Sequence, residues 1–334
     1  MPNLETRLLY ARIIIDMTIL IDQAGTEREI KFRTIDSNED IEKLSLLLDE
    51  CFCLTEGKHF LVDFPVWRVI GRPEVERLGA FIGNELIGSV GIRHATLRLK
   101  DVETNISLLG AVVTQPGWRR RGISKNLIAQ AEGLAKEKNS KAVFLWGSEH
   151  QFYTNLGYDL CGVQARIPLN ELPRYHDDIN AIQVKFGFSD EILKMKMDHS
   201  IGLKVDEFQL KILNHHSNVK WYTATQSGKC VAYAGLGRGI DLIDIIHEWG
   251  GTKSGIRAIL DNIVSKNSNV QIIGNPSLLE KFQLFVDKPE YLEFVCLGKI
   301  LDDDYYAGKG VQQAFGPSTE LKNADLWFWG LDSV

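Results

Sequence analysis

The chain has 334 residues and a formal net charge of −6, with 44% hydrophobic and 25% charged residues. Because that length is about twice the usual size of a domain, we expect two folded domains. No long block of like charge occurs, which argues against nucleic acid as a partner. The five cysteines include no C-x-x-C pair, so we predict neither a disulfide scaffold nor a metal site and expect a reducing cytoplasm.

An apolar stretch near the N-terminus covers residues 8–21. Arg12 and Asp16 interrupt it, and it is too short to span a bilayer. No small-residue cleavage site follows it. We therefore predict neither a membrane anchor nor a signal peptide, and we treat residues 1–27 as an N-terminal extension that packs on the first domain or frays.

The next segment has the order strand, then helix. Polar and apolar residues alternate over 29–35, as in a half-buried strand. Residues 36–38 provide N-cap chemistry for a helix that continues to about Asp49. Residues 51–73 mix aromatic and charged side chains without one clean period, so we predict a short helix and a loop at the wall of a pocket.

A hairpin, a strand and a long helix are predicted next. The apolar runs 78–82 and 86–92 are joined by a glycine and asparagine turn, which favours a tight antiparallel hairpin. A strand over 105–114 follows. From Ile123 onward, apolar residues recur at helical spacing, which predicts an amphipathic helix.

Two short strands, over 142–146 and 158–167, close this part of the chain around a helical turn at 151–156. We expect the first domain to end near residue 169, which gives it the bounds 28–169. The polar segment 170–205 is predicted to bridge the two domains with one or two short helices.

The second half repeats the order of the first: hairpin, strand, glycine turn, helix, strand. Its predicted elements are strands over 221–225, 230–236 and 242–248, a helix over 254–265, a strand over 270–273 and an apolar run over 291–300. We therefore predict a second domain over 206–334 that arose by duplication. We expect its apolar tail, residues 326–334, to form a buried final strand.

A basic glycine turn lies between the predicted strand 105–114 and the helix that follows. Free N–H groups at a helix N-terminus carry roughly half a positive charge, and a glycine lets an anion approach the backbone. Arginine side chains supply further neutralisation. The turn is thus predicted to bind a pyrophosphate. Its residues are Arg119, Arg120, Arg121, Gly122, Ile123 and Ser124.

The order strand, R-x-x-G-x-S turn, helix and strand, followed by the aromatic run 152–158, resembles the core of the GNAT acetyltransferases over residues 28–169. The resemblance implies an α+β fold with a mixed, mainly antiparallel sheet flanked by helices, and acetyl-CoA as co-substrate. It also implies that the turn holds the pyrophosphate. The backbone of Val112, Val113 and Thr114 is then expected to hold the acetyl arm.

Three consecutive arginines with a glycine, Ser148 and Glu149 after a strand, and Tyr153 four residues further on are similar to the Eis-type tandem acetyltransferases. This resemblance implies that Ser148 and Glu149 contact the cofactor, and that Tyr153 is the general acid that reprotonates the coenzyme A thiolate. The acceptor is then a primary amine on a small molecule or a peptide. A tyrosine in this place also commonly serves packing alone, which is the alternative for Tyr153.

The general base stays open at this stage. Eis-type proteins use a carboxylate from a third, sterol-carrier-like domain, which we expect this chain to lack. Charged residues mostly face water, so each candidate is also open to a surface role. The candidates are Glu149, His150, Glu56, His59, Asp63 and the C-terminal carboxylate of Val334.

The second domain is predicted to be a degenerate GNAT-like copy. Residues 235–239 contain three glycines, but they lack the final glycine of a dinucleotide-binding fingerprint, so we predict a hairpin turn. Residues 248–255, where a second pyrophosphate turn would fall, contain no arginine. We expect this domain to buttress the first and to wall its acceptor cleft.

The sequence thus predicts an N-acetyltransferase that moves an acetyl group from acetyl-CoA to a primary amine by direct attack. Two alternatives remain: a non-catalytic acyl-CoA-binding sensor, and a transferase that uses a different acyl donor. We expect no metal, nucleic acid or membrane as partner. A homodimer through edge strands or a swapped strand is compatible with the sequence.

Overall fold

One mixed sheet of fourteen strands passes through both halves of the chain, within the residues that the structure describes. The structure is a computed structural model. It describes residues 16–21, 25–99, 101–172, 182–206, 208–209, 212, 215–216, 218–284, 292–306, 308–315 and 326–332.

The described part of the first half supplies seven strands and four helices. The strands are β1 (Asp16–Ile21), β2 (Glu27–Thr34), β3 (Val75–Ile82), β4 (Glu85–Leu99), β5 (Val102–Thr114), β6 (Ala142–Leu145) and β7 (Asp159–Pro168). The helices are α1 (Asn38–Cys51), α2 (Phe60–Asp63), α3 (Ile123–Glu137) and α4 (His150–Thr154). Short 3-10 turns cover Pro65–Arg68, Pro116–Trp118 and Leu169–Glu171.

The described part of the second half supplies the other seven strands and four further helices. Its strands are β8 (Ile182–Phe186), β9 (Ile201–Leu203), β10 (Lys220–Gln226), β11 (Lys229–Leu236), β12 (Ile245–Gly251), β13 (Gln271–Gly274) and β14 (Leu292–Ile300). Its helices are α5 (Asp190–Met197), α6 (Lys253–Val264), α7 (Pro276–Lys281) and α8 (Val311–Phe315). None of the described helices has the length and apolar character needed to cross a lipid bilayer.

The two halves exchange strands, so that each half places a strand between strands of the other half. The order is β1-β2-β3-β4-β5-β6-β14-β7-β13-β12-β11-β10-β8, and β9 pairs with β4 outside this path. Strand β14 therefore lies between β6 and β7, while β7 lies between β14 and β13. Two pairs, β5 with β6 and β12 with β13, are parallel, and the others are antiparallel. The predicted mixed, mainly antiparallel fold is confirmed.

Local chemistry explains the boundaries of the first elements. Ser37 caps α1 by accepting a hydrogen bond at 3.1 Å from the backbone N–H of Asp40. Gly83 has a φ of +57° in the turn of the β3–β4 hairpin, a conformation that favours glycine. Strand β1 falls within the predicted N-terminal extension, where it pairs with β2 and adds one strand to the sheet edge.

Two expectations for the later elements were wrong, and the one for the bridging segment was incomplete. The bridging segment contains strands β8 and β9 as well as α5, because each strand finds a partner distant in sequence: β8 pairs with β10, and β9 with β4. Strand β12 begins at Ile245 rather than at 242, since residues 242–244 are in a turn in which Asp244 has a φ of +57°. Residues 326–332, named here the C-terminal segment, are buried but form no strand.

A buried ionic cluster holds the C-terminal segment between the halves. Lys196 Nζ lies 2.7 Å from Glu248 Oε2 and 3.6 Å from Asp332 Oδ1, and each of these side chains is at most 1% exposed. The backbone carbonyl of Asp332 accepts a hydrogen bond from Arg93 on β4 at 3.4 Å. The other carboxylate oxygen of Asp332 accepts the N–H of Trp329 at 3.2 Å. Residues from α5, β4 and β12 thereby fix the segment in place.

Candidate active site

A cleft opens where the parallel strands β5 and β6 separate. The strands pair from Ile106 to Leu109 and then diverge. Ala111 has a φ of +51° beside a shift in the β4–β5 register, so β5 carries a bulge at the point of divergence. The cleft has a volume of about 580 Å³, which is in the usual range for small-molecule sites. Residues from both strand ends line it, including Val112, Ser148 and Glu149.

The end of β5 connects the cleft to the basic turn. Val113 is 8% exposed and is not among the residues that line the cleft. Thr114 Oγ1 lies 2.7 Å from Ser124 Oγ, and the Thr114 carbonyl accepts a hydrogen bond from Arg119 Nε at 3.1 Å. Of the three predicted arm-binding residues, Val112 thus lines the cleft, Val113 is buried, and Thr114 contacts the basic turn through its hydroxyl and its carbonyl.

The basic turn ends in an open helix N-terminus. Arg120 has a φ of +63°, and Gly122, the N-cap of α3, has a φ of +81°. No side chain among the described residues caps this helix, and its first turn contains no acidic residue. The guanidinium of Arg121 lies 5.3 Å from the centre of the Trp118 ring, while Arg119 and Arg120 are exposed. The free N–H groups and the arginines together suit a phosphate-bearing anion.

In the second half, the gap between the corresponding strands is bridged by an indole. Strands β12 and β13 also diverge after a short parallel pairing, but the indole N–H of Trp249 donates to the carbonyl of Ile273 at 2.9 Å across the gap. The side chain of Thr252 caps α6 by accepting from the N–H of Gly255 at 3.2 Å. An anion at this position would therefore find the gap between the strands filled by the Trp249 indole and the N-terminus of α6 capped by Thr252.

Tyr153 on α4 faces the cleft from a buried position. Its side chain is 7% exposed, and its ring packs on Gly147 so closely that a Cβ at Gly147 would lie 2.6 Å from the ring. The hydroxyl makes no hydrogen bond to any residue that the structure describes. Burial, and then the charge of Glu149, raise the pKa of Tyr153 to about 12. The phenol is therefore protonated at neutral pH and available as a proton donor.

Among the candidate bases, the structure brings Glu149 into the cleft with Tyr153. Asp63 is 3% exposed, and its two oxygens accept hydrogen bonds from the Asn218 side chain at 2.6 Å and from the N–H of Ile240 at 2.9 Å. Asp63 thus anchors a loop of the second half instead of facing the cleft.

The remaining base candidates lie elsewhere. His59 is exposed and its Nδ1 lies 2.8 Å from Asp49 Oδ2. Glu56 and His150 are exposed and do not line the cleft. Val334 lies outside the described residues. Glu149 is therefore the candidate that shares the cleft with the predicted acid.

The wall opposite the strand ends includes Arg238 and Asp241, which were not among the predicted site residues. Arg238, only 2% exposed, donates from Nε to Asp241 Oδ1 at 3.0 Å and from Nη1 to the carbonyl of Gly330 at 2.6 Å. Its guanidinium lies 4.4 Å from the centre of the Phe64 ring. The spacing of Arg238 and Asp241 is a local signal that could have indicated their ion pair. No local pattern indicates the contacts of Arg238 with Gly330 and Phe64, which are distant from it in sequence.

The fold is similar to those of solved acyltransferase structures. A probable N-acyltransferase from Enterococcus faecalis V583 is 17% identical with a TM-score of 0.60, covering 82% of this chain and 73% of that chain. A GCN5-related N-acetyltransferase from Kribbella flavida is 16% identical with a TM-score of 0.59, covering 82% and 72%. Eis1 from Mycobacterium abscessus is 15% identical with a TM-score of 0.56, covering 84% and 76%.

No curated protein sequence matches the chain. Residues 31–161, which include the cleft between β5 and β6, the basic turn and Tyr153, match the family model described as an acetyltransferase (GNAT) domain. The resemblance to the GNAT acetyltransferases inferred from the sequence is therefore confirmed over residues 31–161.

Proposed function

We propose that the chain is an N-acetyltransferase that moves an acetyl group from acetyl-CoA to a primary amine on a small molecule or a peptide. The observation that carries the proposal is the buried Tyr153 hydroxyl, which has no partner among the described residues and faces the cleft between β5 and β6. A proton donor at this place suits the departure of a thiolate.

The residues around the cleft suit the parts of acetyl-CoA. We assign the pyrophosphate to the basic turn, residues 119–124, because its helix N-terminus is uncapped. We assign the thioester arm to the backbone of residues 112–114, with Ser148 and Glu149 on the facing strand end. We propose that residues 28–169 form the catalytic domain, and that 206–334 form a degenerate copy that walls the acceptor side.

The reaction then needs three things from this chain. Backbone N–H groups at the end of β5 stabilise the oxyanion that forms when the amine attacks the thioester carbonyl. Tyr153 gives its proton to the departing sulfur. The amine must lose a proton, and we assign its removal to Glu149, directly or through a water, because Glu149 shares the cleft with Tyr153.

The test is the release of coenzyme A from acetyl-CoA, read with a thiol-reactive dye, in the presence and absence of a pool of primary amines. We expect thiol release to depend on the amines and an acetylated amine to appear in the mass spectrum. Tight binding of acetyl-CoA by calorimetry, with no amine-dependent release, would instead support a non-catalytic acyl-CoA sensor. Release from a longer acyl-CoA but not from acetyl-CoA would indicate a different donor.

A further inference from the structure

The acceptor side of the cleft carries aromatic and aliphatic side chains beside its charged ones. The rings of Phe52, Phe60 and Phe64 stack in series, with centroids 4.6 and 4.5 Å apart, from the end of α1 to the guanidinium of Arg238. Ile240 and Leu242, both half-buried, face the same cleft from the second half. A bound acceptor therefore meets an apolar wall on each side.

The charged residues of the cleft leave one negative charge without a partner. Four described charged side chains line the cleft: Glu149, Arg166, Arg238 and Asp241. Arg238 is paired with Asp241 through Nε at 3.0 Å. Arg166 is paired in the same way with Glu293, at 3.0 Å. The carboxylate of Glu149 has no ion-pair or hydrogen-bond partner among the described residues, so the cleft offers one carboxylate beside Tyr153 to a cation.

From these two features we infer that the acceptor is an aromatic monoamine: one primary ammonium group on an aromatic body, without a carboxylate. This inference rests on the proposed function. The ammonium faces Glu149, and the ring packs between the phenylalanine stack and Leu242.

The same features disfavour two other kinds of amine. A polyamine would place a second ammonium against apolar wall with no carboxylate to pair with it, and an unpaired buried charge is costly. An amino acid would need a cation for its carboxylate, but Arg166 and Arg238 are already matched by Glu293 and Asp241. Selectivity thus follows from which charges the cleft leaves unpaired.

The test compares kcat/KM for three acceptors with acetyl-CoA as donor: 2-phenylethylamine, spermidine and phenylalanine. We expect 2-phenylethylamine to exceed each of the others by at least about tenfold, the scale on which a mismatched polar group is rejected. We also expect Leu242→Asn to lower kcat/KM for 2-phenylethylamine by about fivefold, mostly through KM, because part of a buried leucine contact is lost.

Ile243→Asn is the matched control. Ile243 is 60% exposed and does not line the cleft, so its variant should stay within about twofold of the parent protein. Faster turnover of spermidine or phenylalanine would overturn the inference and leave the proposed function standing. So would equal effects of the two asparagine variants. Binding of acetyl-CoA without turnover of any amine would overturn the proposed function as well.

Discussion

Replacing Tyr153 by phenylalanine should slow the chemical step by roughly a hundredfold or more, the usual contribution of a positioned general acid. The ring keeps its packing on Gly147, and only the hydroxyl is lost. Because the Tyr153 hydroxyl makes no hydrogen bond within the described residues, its removal leaves no protein group unpaired. Single-turnover thiol release, measured with enzyme in excess over acetyl-CoA and with saturating amine, gives the rate of this step.

Tyr158→Phe is the matched control for that experiment. Tyr158 is 1% exposed, packs edge-on against Tyr153 at 6.0 Å, and donates to Glu132 at 2.9 Å. Loss of the hydrogen bond to Glu132 should lower the free energy of unfolding by about 1 kcal/mol. Glu132 keeps its ion pair with Lys299 at 2.7 Å, so we expect the single-turnover rate to change little. If the two phenylalanine variants react equally fast, Tyr153 is a packing residue and not the acid.

Replacing Lys196 by methionine should destabilise the protein by about 3–5 kcal/mol, because it leaves the buried carboxylates of Glu248 and Asp332 without their cation. By the entropy of unfolding expected for a chain of this length, the melting temperature falls by roughly 5 °C. Calorimetry measures this directly. We also expect the wall of the cleft to be distorted, because the same cluster holds the C-terminal segment that lines it.

The pH dependence of the Lys196→Met variant has a defined sign. Burial raises the pKa of Glu248 in the folded protein above its ordinary value. A carboxyl group whose pKa is raised by folding destabilises the folded state at a pH where it is ionised. This destabilisation disappears as the pH falls and the group becomes protonated. The difference in melting temperature between variant and parent should therefore narrow as the pH falls from 8 towards 5. A gap that widens on acidification would refute this account of the cluster.

Lys204→Met controls for the loss of a surface charge. Lys204 also pairs with a carboxylate at 2.7 Å, that of Glu103, but its side chain is 47% exposed. Exposed ion pairs contribute at most about 1 kcal/mol. Equal destabilisation by both methionine variants would mean that burial does not determine how much the Lys196 cluster contributes to the free energy of unfolding.

Sequence patterns predicted the first half well because its signals are local. The cap at Ser37, the glycine and asparagine turn at 83–84 and the helical spacing after Ile123 each act over a few residues, and the structure has an element boundary at each. The basic turn and Tyr153 could be located in the same way. Their family pattern is short and lies between predicted elements.

Features that depend on pairing across the chain were not predictable. Strand β9, with only three residues, forms because a partner is available on β4, whereas β8 alternates apolar and polar residues over Ile182–Phe186, a local strand signal that the prediction overlooked. The exchange that places β14 between β6 and β7 leaves no mark in local sequence. The acceptor wall has the same origin, since Arg238 is positioned by Gly330 and Phe64.

Hydrogen–deuterium exchange on addition of acetyl-CoA tests most directly whether the cofactor binds in the cleft of the first half. We predict slower exchange of the backbone N–H groups at 110–114, 119–124 and 147–153. We predict no change at 249–255, where Trp249 fills the gap and Thr252 caps the helix. Protection at 249–255 in place of the first-half segments would contradict the account, as would acetyl-CoA binding without protection at 119–124.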